Sequence, residues 1–148
     1  MSNLLSCRGT DGCGTVTKGS IGIGQQRMTT TPEAKHEKTP ERTSKYLLTA
    51  DARIDNRNKL ASILNVSPDP VVTDADLILA AYDRWGKESP KRLIGAFAFA
   101  IWDKTEEQLF CARDHAGIRP LFYVNGGEYF AFASEIEPLI NLKFVPGR

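Results

Sequence analysis

The segment LIGAFAFAIWD, residues 93–103, is the most apolar stretch of the chain. On an extended backbone, Phe97 and Phe99 share one face while three alanines share the other. Because both faces are apolar, the pattern predicts a central β-strand over residues 96–102 that is covered on each side.

The residues that follow predict antiparallel partners for this strand. Polar residues 103–107 indicate a turn, and residues 108–113 (QLFCAR) return as a paired strand. A second hairpin is predicted around the NGG sequence of residues 125–127, because Asn-Gly is among the strongest short-range hairpin signals. Beyond it, Ser134 is the expected cap of a last helix over residues 135–142.

The clearest helix is predicted over residues 74–85, where apolar side chains recur at steps of three and four. Thr73 is its expected N-cap, Asp76 completes a capping box, and Gly86 ends it. A shorter helix is predicted over residues 57–64.

Three further segments complete the expected organisation. Residues 20–28 and 45–51 predict strands, and the polar run of residues 29–44 between them predicts a loop. Residues 90–94 predict a short helix before the apolar strand. Strands joined by hairpins, with helices in separate blocks, favour an α+β fold over alternating βαβ units.

Composition limits the possible functions. A chain of 148 residues with 41% hydrophobic residues fits a single globular domain. A net charge of +1 provides no overall field for nucleic acid or an anionic membrane, and no apolar run approaches the ~20 residues of a membrane span. Three cysteines without paired spacing, and no secretory signal, indicate reduced thiols in the cytoplasm.

One polar constellation, DARIDNR at residues 51–57, directly follows a predicted strand. It is interpretable as a solvated strand end with a helix cap, or as the rim of a binding site, and spacing alone leaves both open. With two histidines in the chain, a histidine-based metal cage is not expected.

Several segments carry a resemblance to a known family, the asparagine synthetases that use glutamine. They are LILAAYDRWG (residues 77–86), LIGAFAFAIWD (93–103), LFCARDHAGIRPLFY (109–123) and FASEIEPL (132–139), with Arg8-Gly9 and Asp11-Gly12 near the start. The resemblance implies that residues 1–148 form one type 2 glutamine amidotransferase domain. It also implies an N-terminal-nucleophile hydrolase-like fold, a layered α/β/β/α sandwich with two stacked antiparallel sheets.

The family's chemistry is the release of ammonia from glutamine by an N-terminal cysteine whose own α-amino group is the base. A second domain then uses the ammonia in the ATP-dependent amidation of aspartate. By resemblance, Arg27 matches the arginine that holds the glutamine carboxylate, and Asp74 the acid that binds its α-amino group. A role at a helix start is an equal alternative for Asp74.

The sequence departs from the family at the family's Asn-Gly-Glu stretch, which aligns with Asp51-Ala52-Arg53. In the family this stretch stabilises the oxyanion, and Asp51 places a negative charge there instead. Losing one such donor typically costs about 3 kcal/mol of transition-state stabilisation. The three residues are therefore interpreted as a degenerate oxyanion position.

A second departure is that Arg8-Gly9 stands only eight residues into the chain. That space is too short for the family's first strand and helix, so both are expected to be missing together with the cysteine nucleophile. Ser2, Cys7 and Cys13 are not favoured as substitutes, and Cys111 is expected in the core. No catalytic residue is predicted.

These observations favour an amidotransferase domain of an asparagine-synthetase-like protein, inactive on its own, that binds L-glutamine or a related amino acid at most weakly. The synthetase domain is absent from the chain, and a separate synthetase protein is the expected partner. The alternatives are a non-catalytic docking or structural module for a synthetase or cyclase, and a gene fragment. No cofactor or metal is expected, since ATP and magnesium would belong to the synthetase domain.

Overall fold

The structure, a computed structural model, describes residues 1–38, 40–67 and 71–142, apart from the side chains of Ser2 and Glu41. The strands are β1 (Cys13–Lys18), β2 (Ile21–Gln26), β3 (Glu41–Arg42), β4 (Tyr46–Ile54), β5 (Gly95–Asp103), β6 (Gln108–Arg113), β7 (Phe122–Asn125) and β8 (Phe130–Ala133). The α-helices are α1 (Arg57–Leu64), α2 (Asp74–Trp85) and α3 (Glu137–Ile140), and 3-10 helices span Ser2–Arg8, Glu33–His36 and Gly86–Arg92. None of the described helices is long and apolar enough to cross a membrane.

The central sheet has the strand order β3-β4-β5-β6, with every pair antiparallel. β5 lies in its interior, hydrogen-bonded to β4 on one edge and β6 on the other. Both of its faces are buried: Phe99 is 1% exposed on one face and Ala100 is 0% exposed on the other. The prediction of a central strand covered on each side is confirmed.

The first layer of cover consists of α1 and α2, which pack on the face of the sheet that carries Phe97 and Phe99. The predicted capping box is present, because Thr73 Oγ1 accepts from Asp76 N at 3.1 Å and Asp76 Oδ2 accepts from Thr73 N at 2.8 Å. Gly86 ends α2 with φ 55°. The buried residues on this side are Tyr46, Leu48, Ile54, Leu60, Leu77, Ile78, Ala81, Tyr82, Phe97, Phe99 and Ile101.

The second layer lies across the alanine face of the sheet and consists of two hairpins, β1–β2 and β7–β8. β2 is joined to β4 by two hydrogen bonds, from Gln25 Nε2 to Ala50 O at 2.8 Å and from Thr49 Oγ1 to Gly24 O at 3.3 Å. α3 contacts β8 and the Ser2–Arg8 helix. The α+β class with stacked antiparallel sheets is confirmed, with the second layer divided between two hairpins.

The end of β4 and the presence of β1 differ from the prediction. The strand predicted to end at residue 51 continues to Ile54, so Asp51, Ala52 and Arg53 lie within it and not after it. Their polarity suggested a strand end, but the backbone pairs on, with Asp51 opposite Ala98. The sequence pattern also missed β1, whose side chains are mostly exposed.

The predicted helices over residues 135–142 and 90–94 are also wrong in extent. α3 begins only at Glu137, with Pro138 in its first turn, because a helix started at residue 135 would require the missing N–H of that proline. Ser134 therefore does not cap it. The other segment is a 3-10 helix that ends at Arg92, and Ile94 instead accepts from Asp55 N at 2.7 Å beside the end of β4.

Gly95 leaves almost no room for a side chain. Its φ is +145°, and a Cβ atom there would lie 2.0 Å from the carbonyl oxygen of Arg53. Only glycine fits this conformation and spacing, so it fixes how β5 starts against the end of β4.

Candidate functional site

A cavity of about 700 Å³ lies between the alanine face of the central sheet and the two hairpins. Its floor includes Thr49, Asp51, Ala98 and Ala100, because the small side chains of β5 leave space where larger ones would fill it. This volume is in the range typical of small-molecule sites, which are mostly apolar with a few placed polar groups. The polar groups come mainly from Arg8, Arg27, Asp51, Arg119 and Glu135.

Arg27 lines this cavity just beyond the end of β2, and its binding of a ligand carboxylate stays a prediction. Its main-chain N–H donates to Gly12 O at 2.8 Å. Its guanidinium donates from Nη2 to Asp11 O at 2.9 Å and from Nη1 to Glu37 O at 3.4 Å, while Nε is buried without an acceptor. No described carboxylate lies within 4 Å of this guanidinium. Hydrogen bonds from Thr29 and Thr10 lower the pKa of Asp11, and the charge of Arg27 adds to this effect at longer range.

The end of the first 3-10 helix lies directly against Arg27. A Cβ atom on Gly9 would lie 2.6 Å from the main-chain nitrogen and oxygen of Arg27. The absence of a side chain at Gly9 therefore brings the neighbouring Arg8 close to Arg27, and both guanidinium groups reach one cavity.

Asp51 sits between two arginines on the cavity side of β4. Its Oδ1 lies 3.3 Å from Arg119 Nε, and its Oδ2 lies 3.6 Å from Arg8 Nη2. Arg8 Nη1 also donates to Glu135 Oε1 at 2.8 Å. The cluster therefore balances two positive against two negative charges, and Asp51, the acid at the position interpreted from the resemblance as a degenerate oxyanion position, is not electrostatically isolated.

The other two residues of that position do not join the cluster. Ala52 packs against the helix-side core and borders the cavity wall. Arg53 is exposed and pairs with Asp55, with Nε 3.0 Å from Oδ1. Of the three, only Asp51 directs a charged group into the cavity.

Asp114 holds the loop that presents Arg119. Its buried carboxylate accepts from the main-chain N–H groups of Ile118 at 2.9 Å, Arg119 at 3.0 Å and Phe97 at 3.2 Å. These bonds, with that from Arg119 foremost, lower the pKa of Asp114 from its ordinary 3.8 to about 2. The loop between β6 and β7 is thus fixed by one carboxylate.

We expect Asp114→Asn to destabilise the fold at pH 7, because a neutral amide oxygen accepts main-chain hydrogen bonds more weakly than a carboxylate. A lowered folded pKa contributes stability that is present above the unfolded pKa and is lost as the pH falls toward about 2. The difference in unfolding free energy between wild type and variant is therefore expected to narrow between about pH 4 and pH 2. Urea unfolding of both proteins across this pH range measures that difference. Asp55→Asn is the control, because it makes the same exchange at an exposed position. A difference between wild type and Asp114→Asn that stays constant with pH would contradict the role given to the Asp114 carboxylate.

Asp74 lies elsewhere, at the start of α2 on the helix side of the sheet. Its carboxylate is 5% exposed and forms a short ion pair with Arg57, which also donates to Val72 O at 2.5 Å. Burial raises the pKa of Asp74, and Arg57 opposes that rise. Asp74 is not among the residues that line the cavity, so the structure does not bring it together with Arg27, and its binding of an α-amino group stays a prediction.

The three thiols occupy different environments. Cys7 is exposed and borders the cavity, and Cys13 is exposed on β1. Cys111 is half-buried, and burial raises the pKa of its thiol to about 11. The side chain of Ser2 lies outside the described part of the chain. The described residues include no group of three His, Cys, Asp or Glu side chains placed to hold a metal ion.

The sequence reasoning missed Arg119, Glu135 and Asp114 as site residues. They come from separate segments, and the Arg8–Glu135 contact joins residues 127 apart in the chain. Neither the local periodicity of apolar residues nor the spacing of a motif can predict a contact between residues so far apart in the chain. The one available signal was their position inside or beside the matched segments of residues 109–123 and 132–139.

Comparison with known proteins identifies the type of domain. The profile of a family described as a glutamine amidotransferase domain matches residues 1–147. A protein of Mycobacterium tuberculosis named as a putative asparagine synthetase (glutamine-hydrolyzing) is 36% identical over 154 residues, covering 95% of this chain and 24% of that protein. Asparagine synthetase (glutamine-hydrolyzing) 1 of Bacillus subtilis is 30% identical over 143 residues, covering 95% and 23%. The chain thus spans about a quarter of the length of these curated relatives.

Proposed function

This chain belongs to the glutamine amidotransferase domain family, in the form that occurs in asparagine-synthetase-like proteins, and we propose that its cavity binds L-glutamine without hydrolysing it. The observation that carries the proposal is the state of Arg27. A guanidinium that borders a cavity and has no described carboxylate within 4 Å is suited to bind the carboxylate of an amino acid.

Two features support binding without hydrolysis. The first is that none of the three thiols combines a place in the cavity with an activating base of its own, since Cys7 has no free α-amino group and Cys111 has a pKa of about 11. The second is Asp51, which presents a carboxylate where an amide would stabilise a developing oxyanion. Arg8 and Arg119 offset its charge but do not replace the lost donor.

Arg27→Ala is expected to abolish glutamine binding, because the variant retains no cation at the end of β2 to meet the ligand carboxylate. Isothermal calorimetry with L-glutamine at pH 7 measures the effect, with at least a tenfold loss of affinity expected, or about 1.4 kcal/mol. Arg53→Ala is the matched control, since it removes an exposed arginine that pairs with Asp55 outside the cavity. Equal heats from wild type and Arg27→Ala would contradict the proposal.

The absence of hydrolysis has its own test. Purified chain incubated with L-glutamine is expected to release no more ammonia than buffer does. Cys7→Ala distinguishes the competing outcome, because Cys7 is the thiol that borders the cavity. Ammonia release that this substitution abolishes would make the domain a glutaminase and overturn the proposal.

A second candidate function, docking of a separate synthetase protein, is favoured by an apolar groove beside β7 and α3. The groove is lined by Leu121, Phe122, Tyr123, Val124, Ile136, Leu139 and Ile140, and Tyr123 and Ile140 are more than half exposed. We assign ATP and magnesium to that partner and place this chain in the cytoplasm, in keeping with its unpaired thiols. Ile140→Asp is expected to weaken association with a synthetase domain in sedimentation experiments while leaving glutamine binding unchanged; unchanged association would exclude this groove.

A further inference from the structure

β6 lies at the edge of the central sheet, since the order β3-β4-β5-β6 gives it a neighbour on one side only. Its pairing with β5 runs without a bulge from Gln108 to Arg113. Within the described residues, no main-chain hydrogen bond joins its other side to another element. Proteins commonly protect such edges with lysine, proline or a bulge, and residues 108–112 (QLFCA) contain neither a proline nor a charge. β6 therefore offers an unprotected edge to a further strand.

The alternation of the β5–β6 ladder decides which main-chain groups this edge presents. In an antiparallel pair, hydrogen-bonded and non-hydrogen-bonded residue pairs alternate along the strand. Asp114 N donates to Phe97 O at 2.8 Å, one residue beyond the end of β6. Counted back from this bond, the residues whose main-chain groups point away from β5 are Leu109, Cys111 and Arg113.

The two ends of β6 carry opposite charges. Glu106 and Glu107 precede the strand and Arg113 ends it, and all three residues are exposed. None of them takes part in a described salt bridge. A neighbouring strand of the same sequence would place acid beside base at both ends if it ran antiparallel, and like charges together if it ran parallel.

We propose that β6 is a self-association surface, on which a second copy of this chain adds its own β6 in antiparallel orientation. Cys111 then lies on the two-fold axis opposite its counterpart, while Leu109 and Arg113 of one copy pair with Arg113 and Leu109 of the other. This register uses every outward-pointing main-chain group of the strand. It also places Arg113 of each copy diagonal to Glu107 of the other, within reach of long side chains.

A second copy fits this edge because the resulting contact is closed. The same patch serves both copies, so each β6 satisfies the other and neither keeps a free edge there. The two four-stranded sheets become one continuous sheet that ends in β3 on both sides. β3 has only two residues, and such short edge strands do not support further growth.

Sedimentation velocity on the full chain at pH 7 tests the surface. Wild type is expected to form a dimer with a dissociation constant below about 100 μM, a range suited to a small interface. Arg113→Glu and Glu107→Arg are each expected to weaken the dimer at least about fivefold, because each brings like charges together twice in one dimer. An equimolar mixture of the two variants is expected to recover the wild-type affinity, since one copy of each restores two contacts between opposite charges.

A main-chain variant provides a second, independent test. Cys111→Pro removes an outward-pointing N–H and spares those that donate to β5, so it is expected to abolish the dimer while the monomer stays folded. Lys18→Glu is the control, because it reverses an exposed charge at the end of β1 and is expected to leave the affinity unchanged. Thermal melts verify that each variant is folded before its association is compared.

Three outcomes would overturn this inference. The first is a wild type that stays monomeric at about 100 μM. The second is a dimer that Arg113→Glu and Cys111→Pro leave intact, since the contact would then lie elsewhere, for example at the groove beside β7 and α3. The third is a mixture of Arg113→Glu and Glu107→Arg that associates as weakly as its components, which would contradict the antiparallel register.

The proposed function does not depend on this surface. Glu107, Cys111 and Arg113 are not among the residues that line the cavity. Calorimetry with L-glutamine is therefore expected to give the same affinity for wild type and Arg113→Glu, whatever their association.

Discussion

Replacing Gly95 with alanine is expected to destabilise the fold by at least about 3 kcal/mol, through the sum of backbone strain and steric overlap. The added Cβ would lie 2.0 Å from the carbonyl oxygen of Arg53, and the φ of +145° is one that L-residues rarely adopt. Relief requires β5 to move away from the end of β4, where Asp55 N donates to Ile94 O at 2.7 Å. Chemical unfolding in urea measures the loss.

Gly22→Ala is the matched control for this prediction. A Cβ atom at Gly22 would meet only the Thr17 methyl at 3.9 Å, an ordinary van der Waals distance, and is expected to change the free energy of unfolding by less than about 1 kcal/mol. Because Gly95 lies three residues from Ala98, the partner of Asp51 in the β4–β5 pairing, Gly95→Ala is also expected to weaken glutamine binding. A Gly95→Ala protein as stable as wild type would show that β5 has freedom to shift that the structure does not indicate.

The second large effect is expected for Arg57→Ala, at about 3 kcal/mol of destabilisation at pH 7, because the substitution leaves the buried carboxylate of Asp74 unpaired. The value is placed at the low end of the usual range for buried pairs, since the Arg57 side chain is 26% exposed. Arg57 also donates to Val72 O, so the turn before α2 loses a contact too.

The pH dependence of Arg57→Ala identifies the cause. Burial already raises the folded pKa of Asp74, and removing Arg57 raises it further. A raised folded pKa means that the folded state binds a proton more readily than the unfolded state, so the variant recovers stability as the pH is lowered from 7 toward its folded pKa. Urea unfolding at about pH 7 and pH 5 is therefore expected to show a smaller difference from wild type at the lower pH.

Two further variants make this result specific. Asp74→Asn in the Arg57→Ala background removes the uncompensated charge and is expected to restore part of the stability at pH 7. Lys91→Ala breaks an exposed pair with Glu88 and is expected to cost less than about 1 kcal/mol. A pH-independent loss in Arg57→Ala would indicate lost packing of the arginine, and not an unpaired carboxylate.

The sequence predicted the elements whose pattern is local. A capping box at Thr73 and a periodic apolar face predict α2, and alternating phenylalanine and alanine predict β5. These signals lie within about a dozen residues, and tertiary contacts reinforced them. α1 and the β7–β8 hairpin were predicted for the same reason.

Elements whose character depends on the opposite layer were harder to predict. β4 carries Asp51 on the cavity and Arg53 in an exposed position outside it, and polar side chains are tolerated at both, so its apolar alternation fades before the strand ends. β1 is polar and exposed, and its pairing with β2 is what makes it a strand.

The candidate site was predictable only in part. Arg27 was selected by resemblance and lies on the cavity. The carbonyl oxygens that hold its guanidinium belong to Asp11 and Glu37, which come from two different segments, so no local pattern could predict these contacts. The pairing of Asp51 with Arg8 and Arg119 is likewise a property of tertiary structure. The sequence indicated only that Asp51 stands where the family has an amide donor, whereas the structure shows that Arg8 and Arg119 balance its charge.

The alanines of β5 have a consequence for how this fold could change its ligand. Because β5 is hydrogen-bonded along both edges, the floor of the cavity cannot recede, and the depth above it depends on side-chain length at Ala98 and Ala100. Each added carbon atom at these positions would shorten the longest molecule that can be accommodated, while the charged groups stay where they are. The length of ligand that fits and the charged groups that bind it are thus determined by different residues. Substitution can change one without changing the other.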